Sequence, residues 1–229
     1  MDTSAAAHVF VADLDAPVLQ PTDEHHLRRV LRLRDGDIVT ASDGRGRWRR
    51  CRLGAPLVPL DEPVLDPRVE PPITIAFALV KGERPELVVQ KLTEVGVDRI
   101  VPFTAARSVV RWDAAKAAHQ HERFGTVARL AAMQSRRPWL PEIEPVTTFE
   151  DLAARPGVVL ADASGEPPSL AGPFVAVGPE GGWSDEERRV LLPRVRLATT
   201  VLRAETAAIA AGVLLTSMRA TIVLESHGA

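Results

Sequence analysis

The stretch that decides the fold runs from Ile73 to Phe103 and reads ITIAFALV (73–80), KGE, RPELVVQKLTEVGV (84–97) and DRIVPF (98–103). The first block is an unbroken apolar run of strand length, the second repeats its apolar residues at helical spacing, and the third is strand-like again. A strand, a helix and a strand in that order make a β-α-β unit, with both strands parallel in one sheet. The pattern continues downstream. A long helix is expected around 114–135, then strands at VVLAD (158–162) and FVAV (174–177), a helix from Asp185, a strand at VRLA (195–198) and a closing helix over 204–223. Strands alternating with helices predict an α/β domain whose mostly parallel sheet carries helices on its faces.

Upstream of Ile73 the pattern differs. HVFVA, a short helix-like stretch DEHHLRRVL, and DIVTASDGRGRWRRCRLG read as short strands and turns, and Asp43-Gly44-Arg45-Gly46 supplies the glycines that a hairpin turn needs. A small β-barrel-like module is expected. DEPVLDPRVEPP (61–72) follows, with four prolines, mixed charges and no apolar period, and reads as a linker. The expected domains are therefore residues 1–70 and 71–229.

Composition bounds the class. The chain has 229 residues, 45% of them hydrophobic and 25% charged, proportions of a globular rather than a disordered protein. Apolar runs such as ITIAFALV and AAIAAGVLL are far shorter than the ~20 residues that cross a bilayer, and no basic-then-apolar leader opens the sequence, so a cytoplasmic protein without a membrane partner is expected. The single cysteine, Cys51, leaves no internal disulfide framework and no thiolate pair for a structural metal. His119 and His121 are two apart in an expected helix and diverge, so no metal is expected there either.

Net charge is −2, but it is unevenly spread. Between Arg28 and Arg52 nine arginines stand against three aspartates, a local net of +6. Such a cluster is the electrostatic footprint of a phosphate-rich partner. Solvent-facing arginines without a ligand are the alternative, and Trp48 in their midst either stacks on a base or packs in the barrel.

Ligands of open parallel sheets sit at the carboxyl ends of strands, where loops gather. Three loops take that position here: LADASGE after VVLAD, GPEGGWS after FVAV, and ATTVLRAET after VRLA. The middle one has neither GxxxxGK[ST] nor GxGxxG, which disfavours a nucleoside triphosphate or a dinucleotide. Ser184 and Glu187 form a capping box that uses helix N-terminal donors internally, so the ligand at this end is expected to be neutral or positive. A tight strand-to-helix turn with no ligand remains open for GPEGG. For Glu205 and Arg203 the alternatives are a helix N-terminal acid with a surface partner, or chemistry.

Six ordered segments, HHLRRVLRLRDGD, KGERPELVVQKLTEVGVDRI, RSVVRW, QSRRPWLPEI, VGPEGGWSDEE and LRAETAAIAA, span almost the whole chain. Together they resemble the RsmE family of ribosomal RNA small-subunit methyltransferases. The resemblance implies a PUA-like β-barrel (1–70) followed by a SPOUT domain (71–229), an α/β fold whose C-terminal part is tied in a trefoil knot, acting as a homodimer. It implies methylation of a uridine of 16S rRNA at N3 with S-adenosylmethionine as donor, within the small ribosomal subunit. Donor contacts are then expected from Leu160, Ala161, Val177, Gly178, Pro179, Glu180, Gly181, Gly182, Leu197, Ala198, Val201, Leu202, Ala204, Thr206 and Ala207. The glycines would let the backbone approach the adenosyl group. RNA contacts are expected from His26, Arg28, Arg29, Arg32, Arg47 and Arg49 in the small domain, and from Lys81, Arg84, Arg107 and Arg137 beyond it.

Neutral uracil carries a proton on N3, so the nucleophile must lose it before or during attack. Arg203 is expected to stabilise negative charge on a uracil carbonyl, and Glu205 to accept the proton or orient Arg203. The chain departs from the family pattern at Ala198 (usually glycine), Thr200 (arginine), Met133 (glutamate) and Arg136 (glycine), which bears on substrate position more than on the donor. Two other readings fit the fold: a non-catalytic RNA-binding or ribosome-assembly protein, and a SPOUT methyltransferase for another RNA position.

Overall fold

The computed structural model describes residues 5–227. Two compact units divide the chain, one of residues 1–68 with 129–140 and the other of 69–128 with 141–229.

In the first unit β1 (Ala7–Phe10) pairs in parallel with β2 (Ile38–Ser42), across the short helix α1 (Pro21–His25) and a π-helical turn (His26–Val30). β2 returns antiparallel into β3 (Arg47–Arg52), which also pairs with β4 (Val58–Pro59) and β5 (Val64–Leu65). The expected hairpin is present at 43–46. Gly44 and Gly46 sit at φ +74° and +90°, and a Cβ on Gly46 would stand 2.3 Å from the indole of Trp139, so both φ and space demand glycine there. The core gathers Val9, Leu27, Val39, Ala41, Cys51 and Leu53 with Ala132 and Met133.

In the second unit β6 (Thr74–Ala78), α2 (Arg84–Glu94) and β7 (Arg99–Thr104) form the β-α-β unit, with Ile75 opposite Ile100 and Phe77 opposite Pro102 in parallel register. Helix α3 (Ala114–Gln134) follows; it belongs to the second unit up to Ala128 and to the first from Arg129. Then come β8 (Glu142–Ile143), β9 (Thr147–Thr148), α4 (Phe149–Ala153), β10 (Val158–Glu166), β11 (Phe174–Val177), α5 (Asp185–Arg189), β12 (Arg194–Val195) and α6 (Ala204–His227). The sheet order is β12-β10-β11-β6-β7-β8, with β9 also on β7, and every pairing is parallel.

Both faces of this sheet are covered. Along β6 the side chains alternate: Ile75 and Phe77 join Val88, Leu92, Phe124, Ala208 and Leu215, while Ala76 and Ala78 join Phe103, Phe149, Leu152 and Trp183. That double burial is why ITIAFALV is apolar throughout. Two expected stretches differ. Residues 61–72, expected as a linker, carry β5, where Val64 pairs with Trp48 and Asp66 N–H bonds Gly46 O at 2.9 Å. The last strand ends at Val195 instead of running over 195–198, because beyond Arg196, whose N–H bonds Glu166 O at 2.8 Å, the chain leaves the sheet edge as an open loop.

Candidate functional site

That loop helps form a cavity of about 530 Å³ lined by Ala161, Asp162 and Ala163 from β10, by residues 196–202, and by Ala207 of α6. Its size suits a small organic ligand. The walls are largely apolar, with one carboxylate, Asp162, and one guanidinium, Arg196. Close main-chain contact builds the cavity's edge. At Gly165 a Cβ would lie 2.4 Å from the backbone nitrogen of Val195, so only glycine lets β10 and β12 meet there. Asp162 Oδ1 accepts from Ser164 N–H and Oγ–H at 3.0 and 2.8 Å, and Arg188 lies 3.2 Å from Oδ2. Burial opposes ionisation of Asp162, but these hydrogen bonds and the nearby arginines outweigh it and hold its carboxyl below the usual range.

Six of the expected donor residues line the cavity: Ala161, Leu197, Ala198, Val201, Leu202 and Ala207. Leu160, Val177 and Ala204 are instead buried. Val177 through Gly182 contribute nothing to the lining, and the loop's glycines have internal reasons. A Cβ on Gly178 would crowd the Trp183 indole at 3.1 Å, one on Gly181 would approach Arg107 at 3.3 Å, and Gly182 sits at φ +67°. Trp183 is buried, stacks on Phe103 and donates from Nε1 to Ala161 O at 2.9 Å, so the loop fixes β10's end from behind. The capping box of Ser184 and Glu187 is formed, and Glu187 also accepts from Ala106 N–H at 2.8 Å. Asp162, Ala163, Arg196, Thr199 and Thr200 line the cavity without having been expected there. All but Arg196 lie in the LADASGE and ATTVLRAET loops expected around the ligand, and Arg196 adjoins Leu197.

Arg203 is exposed and its guanidinium has no partner among the described residues. Glu205, in the first turn of α6, is mostly buried; Oε1 lies 3.8 Å from Arg84 Nε, and Oε2 is buried without a hydrogen-bond partner. No ion pair joins Glu205 to Arg203 among the described residues, so Arg84 rather than Arg203 is the cation beside this carboxylate.

The arginine cluster of the first unit divides. His26, Arg29, Arg32 and Arg47 are exposed. Arg28 is half-buried between Glu24 and Asp35, at 3.0 and 2.8 Å, which raise its already high pKa. Arg49 corrects the expectation of a phosphate ligand: it is 8% exposed, and its guanidinium donates to Leu14 O at 2.9 Å and to Asp61 O. The strand period could have shown this, since Arg49 lies two residues before Cys51 and shares its inward face. Trp48 is half-buried in the same strand. Beyond the cluster Lys81 is exposed, Arg107 is exposed and donates to Gly181 O at 3.1 Å, and Arg137 is half-buried. Among the described residues no group of three or more His, Cys, Asp or Glu could hold a metal, and no helix is long and apolar enough to cross a membrane.

Known proteins resemble this chain in sequence and fold. Residues 68–216 match the family model of an RNA methyltransferase domain, and residues 22–56 that of an RNA methyltransferase PUA domain. The chain is 36% identical to the ribosomal RNA small subunit methyltransferase E of Mycobacterium bovis, covering 83% of this chain and 82% of the relative. To the protein of the same name from Bacillus subtilis it is 31% identical, over 84% and 87%. A solved methyltransferase from Legionella pneumophila, in complex with the cofactor SAM, superposes with a TM-score of 0.78 at 27% identity, covering 92% of this chain and 96% of that one.

Proposed function

The chain belongs to the ribosomal RNA small subunit methyltransferase E family, and we propose that it methylates N3 of a uridine in 16S ribosomal RNA, using S-adenosylmethionine. The observation that carries this reading is the cavity beside β10 and beyond the end of β12, lined by two of the three expected loops, LADASGE and ATTVLRAET. Its residues fit the donor in kind. Leu197, Val201, Leu202 and Ala207 offer apolar contact to a purine, and Asp162 and Arg196 offer one charge of each sign to a molecule that carries both. When bound, S-adenosylmethionine supplies a methyl carbon activated by a sulfonium.

The chain's own residues must place the base, exclude water and remove a proton. Glu205 is the acceptor we favour for the N3 proton, because Oε2 is buried and takes no hydrogen bond from the protein. Arg203, exposed beside it in sequence, would stabilise the charge that develops on a uracil carbonyl oxygen. Residues 1–70 would serve as the RNA-binding module, with His26, Arg29, Arg32 and Arg47 at phosphates, and residues 71–229 as the methyltransferase module, with Lys81 and Arg107 adding RNA contacts. A homodimer acting in the cytoplasm on the small subunit completes the proposal.

The test adds purified protein and S-adenosylmethionine to small subunits from a strain lacking the modification, followed by mass spectrometry of the nucleosides. Appearance of 3-methyluridine is expected. Methyl found on another atom would refute the N3 assignment, and donor binding without any methylated nucleoside would favour a non-catalytic role.

A further inference from the structure

Arg84 is the first residue of α2 and is 40% exposed at its side chain. Its Nη1 donates to Glu180 Oε1, on the loop after β11, and its Nε lies 3.8 Å from Glu205 Oε1, on the first turn of α6. One guanidinium thus bridges two segments of the second unit that are distant in sequence. Its planar fork can serve both carboxylates at once, which a point charge on a flexible stem does less well. The local charge count is one cation against two anions. Among the described residues Arg84 is the cation paired with both carboxylates, so a phosphate arriving here would have to displace them, whereas Lys81, exposed and without a partner among those residues, offers a free charge.

Glu205 supplies the second half of the argument. Among the described residues, its Oε2 is the one carboxylate oxygen that is buried without a hydrogen-bond partner. A buried acceptor left open is costly, and persists where the surrounding structure holds it in place. Oε1 faces Arg84 at an ion-pair distance, and Oε2 is free for an incoming donor. We infer that Arg84 is a positioning residue for the methyl-transfer step, holding Glu205 between α2 and the Glu180 loop, and not a ligand for RNA phosphate. This rests on the reading of Glu205 as proton acceptor.

The experiment uses the full chain with Arg84→Gln, Arg84→Lys, Glu205→Gln and the double variant Arg84→Gln/Glu205→Gln. Single-turnover methyl transfer is measured at saturating donor and small subunit, and subunit affinity is measured across a salt series. Arg84→Gln is expected to slow the saturated rate about tenfold or more, the scale at which misplacing a reacting group is felt. Subunit affinity and its salt slope should be unchanged. Arg84→Lys should recover part of the rate, and in the Glu205→Gln background the Arg84 change should have no further effect. A full saturated rate with weaker binding and a shallower salt slope would overturn the inference in favour of a phosphate contact, as would rate losses that simply multiply in the double variant. If Glu205→Gln alone keeps its rate, the proton-acceptor reading falls and this inference with it. A slow Glu205→Gln beside a normal Arg84→Gln removes only the inference.

Discussion

In the barrel unit polar side chains turn inward: Arg49 spends its guanidinium on the carbonyls of Leu14 and Asp61, His8 pairs with Thr40 Oγ1 at 2.9 Å, and Trp139 donates to Asp66 O at 2.8 Å. Around the cavity of the methyltransferase unit they are left open: Arg196 lines it, Arg203 is exposed, and Glu205 keeps an unpaired oxygen. Charge density along the sequence therefore misleads about which region offers groups to a ligand. Glu24, Asp15 and Asp61 lie outside the arginine-rich window and engage arginines within it. The comparison teaches that substitutions at inward groups should cost stability, and substitutions at open groups should cost binding or rate.

The sharpest contrast comes from the cavity itself. Ala198→Trp places an indole in the space assigned to the donor. Calorimetry should show donor affinity falling at least about 100-fold, or roughly 2.7 kcal/mol, with little change in melting temperature. Unaltered donor affinity would break the comparison on its open side.

His8 tests the inward side with an effect of comparable size. Burial, aided by the charges of Arg136 and Arg129, lowers its pKa from 6.5 to about 4. The unfolded chain then binds a proton that the folded chain refuses between these values, so the stabilising contribution is complete above about pH 6.5 and is lost as pH falls toward 4. The full loss is about 3 kcal/mol. Denaturant midpoints at pH 7.5 and 4.5 should show it, and His8→Gln should flatten that part of the profile.

Arg49 and Arg47, neighbours on one strand, give a smaller and cleaner contrast. Arg49→Ala should lower stability by roughly 2 kcal/mol, because the carbonyls it serves lose a charged donor. Arg47→Ala should change stability by less than about 0.5 kcal/mol, yet reduce the salt slope of RNA binding by a little under one. Equal behaviour of the two would show that burial does not separate them. The smallest effect concerns Arg136, which holds φ +56° past the end of α3, where the family pattern has glycine. Arg136→Gly should raise stability by about 1 kcal/mol in chemical denaturation, since glycine takes left-handed backbone without a Cβ penalty.

Much of this was legible in the sequence where the signal is local. The β-α-β unit from Ile73 to Phe103 follows from two periodicities, and the hairpin from its glycines. The cavity's position follows from a rule about strand ends. What lay hidden depended on partners far along the chain. The sequence pattern makes Met133 look like a carboxylate lost from the RNA site, but it lies in the barrel core beside Ala132. GPEGG reads as a ligand cradle, yet Gly178 makes room for Trp183. Arg84 reads as one more basic residue until Glu180 and Glu205 are seen around it.

A crystal structure with S-adenosylmethionine bound tests the central claim most directly. The account predicts the donor between residues 161–163 and 196–202, against Ala207. Clear density for it at another place, with that cavity closed or filled by protein side chains, would contradict it.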